Sequence, residues 1–154
     1  MAKRTNRIQK NTAVLNAIRK ALPENTHALV VEMATDVESN YNQLAPRDSG
    51  SMAESAYVQM QDGAYQNGQK TSVSAIEAQA RALNPDVEIA PLPTPTNDTT
   101  AYVAPLAAHW IFNELGTTRM AARPTLTTAR AIAASNLKSK HKDALLKVVT
   151  DGRR

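Results

Sequence analysis

Cysteine is missing from all 154 residues, which excludes disulfides, thiolate metal sites and a cysteine nucleophile. Stability has to come from packing. Aromatic residues are nearly as scarce: one Trp, one Phe and four Tyr make up 4% of the chain, and much of the 42% hydrophobic content is alanine. Large core side chains are therefore few, and close packing of helices through alanine is expected, together with self-association. No Gly-rich phosphate loop and no internal repeat is present, so solenoids and propellers are not expected. Long apolar runs are absent as well. Asn11, Thr12 and Asn16 interrupt the stretch behind the basic N-terminus, so it does not read as a signal peptide, and nothing approaches the roughly 20 apolar residues of a membrane span. The expectation is a soluble protein made in the cytoplasm, with no membrane partner and no cofactor.

At this length one domain, residues 1–154, is expected, able to bury about 70% of its unfolded surface. The net charge is +4 and the isoelectric point about 9.5. Most of the excess sits at the ends, on Lys3, Arg4, Arg7 and Lys10 and on Lys138, Lys140, Lys142, Lys147, Arg153 and Arg154. The middle reads as close to neutral. Residues 1–7 and 150–154 form basic tails suited to non-specific contact with nucleic acid or an acidic protein surface, although solvated helix faces explain the same charges more simply.

Ile8, Leu15, Ile18 and Leu22 recur at helical spacing, as do Leu29, Met33, Val37, Tyr41 and Leu44, so two amphipathic N-terminal helices meet at Pro23 and the second stops before Pro46. His27 and Glu32 lack a second His at helical spacing and make no zinc signature. Ser51 and Glu54 have the spacing of a capping box, which predicts a short helix after Gly50. Tyr57 to Gln61 alternates as a strand and Asp62-Gly63 turns it. Residues 64–72 are polar and read as loop. Val73, Ile76, Ala80 and Leu83 share a helical face up to Asn84-Pro85. Val87 and Ile89 alternate again, and residues 90–100, with Pro91, Pro93 and Pro95, read as a projecting Pro/Thr-rich arm. Thr99 to Val103 is β-rich and ends at Pro105. Leu126, Ala129, Ala133, Leu137, Ala144, Leu145 and Val148 predict a final helix of about six turns with an alanine seam.

Three arrangements have the residue types of catalysis. Asp48-Ser49-Gly50 matches the aspartic-protease tripeptide, in which two carboxylates share a proton. Only a homodimer would supply the second Asp, and no apolar strand delivers the first, so Asp48 capping the following turn accounts for the same residues. Ser135 with Lys138, and Ser139 with Lys142, have the Ser-x-x-Lys spacing of an activated serine but no companion motif. His109 is a possible partner for Glu114 or Asp48, yet a single His beside Trp110 is more often packed than reactive. No recognition helix gathers the Arg and Lys residues, so diffuse phosphate contact is the most the charge supports. No enzyme is expected.

The stretch from Trp110 to Pro124 holds the only Trp, the only Phe and Gly116 ahead of the last helix. Trp110, Ile111, Phe112 and Leu115 suit a short helix burying one side, Gly116 a left-handed stop, and Pro124 the first position of the next helix. This Glu-Leu-Gly-Thr-x-x-Met-x-x-Arg-Pro run, with Ala45-Pro46-Arg47-Asp48-Ser49-Gly50-Ser51-Met52 upstream, resembles the neck or tail-completion family of long-tailed bacteriophages. The resemblance covers roughly residues 25 to 140.

The resemblance implies an α+β fold with N-terminal helices, a small antiparallel sheet, a short aromatic helix and a long C-terminal helix, the same order as the elements read above. It implies a virion structural protein at the head-tail junction, a six-fold or twelve-fold homo-oligomeric ring between a portal, adaptor or head-closure protein and the tail terminator or tube, touching packaged DNA at most non-specifically. On that basis Pro46, Asp48, Ser49 and Gly50, and Trp110, Glu114, Gly116, Thr117, Met120, Arg123 and Pro124, are scaffold and interface residues. Leu115 stands where an aromatic is usual, and residues 64–98 are longer and richer in proline than the family pattern. The helix at 29–44 and the C-terminal helix are the expected apolar contributors to a ring, with tails and arm completing two interfaces of about 800 Å² per partner. The rival class is a DNA-binding accessory protein.

Overall fold

The computed structural model describes Asn16, residues 26–47 and residues 50–151. The expected first helix (Asn16 apart), the kink at Pro23, the tail at 1–7 and residues 152–154 of the tail expected at 150–154 lie outside the described residues, while residues 150 and 151 of that tail are helical. Within them the chain is α+β. Helix α1 covers 26–44, and α2 (Ser51–Glu54) leads into β1 (Ala56–Met60), β2 (Gly63–Gln66) and β3 (Gln69–Thr71). Then come α3 (Val73–Leu83), β4 (Tyr102–Pro105), α4 (Trp110–Leu115) and α5 (Thr125–Asp151).

The four strands form an antiparallel sheet in the order β3-β2-β1-β4. All five residues of β1 are buried, as expected of a central strand covered on both faces. Alternation divides them. Val58 and Met60 join Ala34 of α1, with Val30, Val31, Tyr65 and Val103 against them. Tyr57 joins Ala64, Ile76 of α3 and Leu106, with Val73, Ile89 and Leu92. Pro105, last in the edge strand β4, pairs with Ala56, a position where a missing donor is tolerated.

The polar stretch 64–72 is a hairpin rather than a loop. Asn67-Gly68 connects β2 to β3 with φ of 52° and 75°, the positive pair that a two-residue type I′ turn requires. Glu38 of α1, only 1% exposed, accepts the Asn67 N–H on both carboxylate oxygens, at 2.9 and 3.2 Å. Burial pushes its pKa up to about 7 against the pull of that hydrogen bond. The face α1 turns inward is thus centred on Ala34, Glu38, Tyr41 and Ala45, and Leu44, expected in the stripe, is exposed. Small residues at 34 and 45 let the helix lie close to the sheet.

Other expectations shift in detail. The capping box of α2 does not form: Gly50, at φ 76°, holds the N-cap position without a side-chain bond, and Ser51 is buried. Leu83 at the end of α3 is exposed. The region 90–100, expected to project, is fastened to the body at several points. Tyr57 Oη accepts the Leu92 N–H at 2.7 Å, Gln61 donates to the Thr96 carbonyl, and His27 Nδ1 lies 3.3 Å from the Asp98 carbonyl, while Pro95 is buried. Helix α5 runs for 27 residues, longer than six turns.

Candidate functional site

The motif around Gly116 builds the junction between α4 and α5, and its Glu114 and Thr117 side chains are bonded to backbone. Glu114 reaches across to the start of α5, where its carboxylate accepts the Leu126 and Thr127 N–H groups at 2.9 and 2.8 Å and the Thr127 hydroxyl at 2.6 Å. These are orphan donors of a helix N-terminus, and negative charge is favoured there. Burial pushes the Glu114 carboxyl up, but the bonds from Thr127, Leu126 and Thr125 outweigh it and hold the pKa below the ordinary carboxylate value. The cap on α5 is therefore a carboxylate from the preceding helix. Pro124, expected inside the first turn, lies one place earlier, its carbonyl accepting the Thr128 N–H and hydroxyl.

Between the helices the chain folds tightly. Gly116 stops α4 at φ 76° and ψ 178°, positive in φ as expected but extended in ψ rather than left-handed helical, a region essentially confined to glycine. A Cβ there would meet the Ala122 nitrogen at 2.8 Å and the Met120 carbonyl oxygen at 2.9 Å. Thr117 and Met120 exchange backbone bonds, and the Thr117 hydroxyl accepts the N–H groups of Arg119 and Met120. Arg123 donates its N–H to the Asn113 carbonyl at 2.6 Å, closing the turn.

The upstream motif meets this junction although about 60 residues separate them in sequence. Ala45, Met52 and Ala53 share one buried cluster with Tyr41, Ala80 and Ala129, against which Trp110 and Leu126 pack. Asn113 Nδ2 donates to Met52 Sδ at 3.0 Å. Tyr41 lies in this hub, its phenol held from ionising by burial and by the Glu114 charge. Pro46 is half-buried, and Asp48 and Ser49 lie outside the described residues, so the protease tripeptide has no described geometry.

The apolar side chains of α4 do not behave as expected. Trp110 is half-buried, but no residue of the helix is fully buried. Ile111 is 43% exposed, Phe112 55%, Leu115 73% and Met120, in the following turn, 36%. In a chain with one Phe and little other aromatic content, large apolar side chains are left facing outward together on a turn locked by hydrogen bonds. Such patches on soluble proteins mark contact surfaces more often than chance would give.

Among the described residues the catalytic candidates find no assembled site. The Ser135 and Ser139 hydroxyls donate to the Ile132 and Asn136 carbonyls of their own helix. Glu114, the candidate partner of His109, is engaged by the α5 backbone. Among the described residues no three His, Asp or Glu side chains are grouped to hold a metal, and no helix is long and apolar enough to cross a membrane. An open groove of about 480 Å³ lies along α1 and the hairpin, lined by His27, Val31, Glu32, Thr35, Asp36 and Tyr65. Beside it Asp62 accepts from Tyr65 Oη and Lys70 Nζ at 2.6 and 2.9 Å. Glu38 and Tyr57, the two residues that fasten the hairpin and the Pro-rich stretch, carry no sequence signal beyond their places in a helix and a strand. The chain matches no family model, no curated protein and no solved structure.

Proposed function

We propose that this chain is a virion structural protein of the head-to-tail interface of a long-tailed bacteriophage. It is a neck or tail-completion subunit that assembles as a homo-oligomeric ring between the portal, adaptor or head-closure protein and the tail terminator or tube. The observation that carries this reading is the exposed apolar face of Ile111, Phe112, Leu115 and Met120 on the locked α4–α5 turn. An enzyme needs converging polar groups around a cavity, whereas in this motif the Glu114 carboxylate and the Thr117 hydroxyl are bonded to its own backbone and Ile111, Phe112 and Leu115 are exposed. That is the chemistry of a surface built to meet another protein. Helix α1 lays Val30, Val31 and Ala34 against the sheet, and the main contact role falls to α4. Scaffold roles fall to Glu114, Gly116, Thr117, Arg123 and Gly50, and contact roles to the apolar residues between them.

The test is electron microscopy and sedimentation of the full chain, alone and with the upstream connector, for the wild type and a Phe112→Ser, Leu115→Ser double variant. Rings or connector-bound particles are expected from the wild type and not from the variant, with melting unchanged. A wild type that stays monomeric and bare in both conditions refutes the proposal. Salt-dependent duplex binding by that monomer would point instead to a DNA-binding accessory protein.

A further inference from the structure

The body between the tails, expected to be near neutral, carries eleven Asp and Glu against six Lys and Arg over residues 26–137, and the two signs are sorted. From residue 82 to residue 114 there are four carboxylates, Asp86, Glu88, Asp98 and Glu114, and no Lys or Arg. From 115 to 130 there are three arginines, Arg119, Arg123 and Arg130, and no Asp or Glu. All three arginines are exposed. Among the described residues the ion pairs are Lys70 with Asp62 and Arg81 with Glu77, so these arginines have no carboxylate partner there, and Asp86 and Glu88 have no cationic one.

The arginines edge the apolar face of α4. At roughly 100° per residue Ile111, Phe112 and Leu115 fall in one arc of the helix, and the opposite arc is tied to the body through Asn113 on Met52 and Glu114 on α5. Arg119 stands next to Met120 in the turn, its N–H on the Thr117 hydroxyl, and the Arg123 N–H on the Asn113 carbonyl holds that residue against α4. Arg130 follows in the second turn of α5. A surface of the opposite sign lies at the end of α3. Leu83 is 45% exposed, and Pro85, Asp86 and Glu88 beyond it are exposed as well. Backbone holds them in place: Val87 between the two acids is buried in the hub, the Glu88 carbonyl accepts the Ala108 N–H at 2.8 Å, and Ile89 bridges to Ala107. Arg81, the nearest cation in sequence, is occupied by Glu77 and the Val87 carbonyl.

One surface is apolar with a cationic edge, the other apolar with an anionic edge, and the chain that carries both does not pair them. Nucleic-acid phosphates would complement the arginines but give Phe112 and Leu115 nothing apolar to pack on. We propose that the two surfaces meet between copies: Phe112 and Leu115 of one subunit pack on Leu83 and Pro85 of the next, and Arg119 and Arg123 face its Asp86 and Glu88. This rests on the homo-oligomer reading above and names the two surfaces it joins. Joined head to tail, two different surfaces generate a ring when the rotation closes. Opposite charges at the rim steer the encounter and fix its register, and both surfaces stand on fastened backbone, so little freedom is lost on docking.

Charge reversal with rescue tests the pairing. One variant combines Arg119→Glu with Arg123→Glu, the other Asp86→Lys with Glu88→Lys. The backbone bonds at these positions do not depend on the side chains, so melting should be unchanged. In low-salt sedimentation, with the upstream connector present if the wild type needs it, each variant alone should associate at least about tenfold more weakly than the wild type, because like charges then face each other. An equimolar mixture should recover the wild-type oligomer, since each altered surface meets its opposite on the other variant. Either variant oligomerising alone as the wild type does, or a mixture that stays dissociated, overturns the pairing.

A second measurement changes no charge. Because the chain has no cysteine, Leu83→Cys protein can be mixed with Leu115→Cys protein, oxidised, and the disulfide-linked pair followed on non-reducing gels. Docking should raise the initial rate about a hundredfold over a control mixture of Leu115→Cys with Thr99→Cys, because docked thiols meet at a far higher effective concentration than free ones. A rate equal to the control overturns the pairing. Wild-type oligomers that coexist with either failure leave the ring reading standing, and a wild type that never oligomerises, alone or with the connector, overturns both.

Discussion

Replacing Glu38 with Gln should make the protein more stable at pH 7.5 and above, and should remove a pH dependence that the wild type shows in mildly acidic solution. Glu38 is 1% exposed, and its carboxylate is bonded to the Asn67 N–H of the hairpin turn. Burial dominates and raises its pKa from 4.5 to about 7 in the folded protein. Between those two values the folded chain keeps a proton that the unfolded chain has released. Stability therefore falls as pH rises. The contribution is fully present below pH 4.5 and is lost as pH climbs through about 7. With about 1.4 kcal/mol per pKa unit, the loss between pH 5 and pH 7.5 comes to about 2 kcal/mol.

Gln is close to Glu in shape, keeps a carbonyl oxygen for Asn67 and has no charge to bury, so it should escape that loss while holding the turn. The measurement is urea unfolding followed by circular dichroism at several pH values from 5 to 8, for both proteins. The difference between them isolates Glu38, because the groups held below their ordinary values, Asp62 and Glu114, act in the opposite sense and in a lower window, where acid removes their contribution. The two proteins should agree near pH 5 to within about 1 kcal/mol and separate by about 3 kcal/mol at pH 8. Parallel curves across the range would refute the assignment of a buried, reluctantly ionised carboxylate at this position.

Gly116→Ala should cost about 1–3 kcal/mol in a thermal or urea melt, since its φ of 76° is unfavourable for alanine and the Ala122 nitrogen lies 2.8 Å from the added methyl. Glu114→Ala should cost about 1–2 kcal/mol, the usual value of an N-terminal cap, seen as lowered stability with early loss of helical signal. Tyr57→Phe removes the acceptor of the Leu92 N–H; a loss of about 1 kcal/mol and faster amide exchange at Leu92 are expected. If that amide exchanges at the wild-type rate, the Pro-rich stretch is held by something other than Tyr57.

Helices were easier to read than their faces. The stripe Leu29, Met33, Val37 and Tyr41 locates α1, yet of these only Tyr41 is fully buried, and it shares the deepest face with Ala34 and Glu38, a small residue and a charged one that a count of large apolar residues passes by. β1 was legible from alternation and α3 from its spacing. The β2–β3 hairpin hides in a stretch, 64–72, whose polarity reads as loop but reflects an edge of the sheet that faces water. Asn67-Gly68 was the available signal, since that dipeptide adopts the paired positive φ of a hairpin turn. Glu114 illustrates a deeper limit. Its partners, Leu126 and Thr127, lie more than ten residues on, across a turn whose course depends on Gly116, and no local pattern of charges reveals that a carboxylate in one helix will cap the next.

The division of labour inside this motif makes stability and assembly separable. Glu114, Gly116, Thr117 and Arg123 act through backbone bonds and dihedral angles, so changes there propagate into the junction and into the direction in which α5 leaves the body. Leu115 is 73% exposed and Phe112 55%, so truncating Leu115 removes little buried area and should barely move the melting temperature. If those outward side chains served only to complete a core, their loss would register as stability. If they serve a partner, their loss registers in the size of the particle and nowhere else. A rigid turn beneath them matters in the second case, because a surface already held in its binding shape loses less conformational entropy on docking than one that must order first.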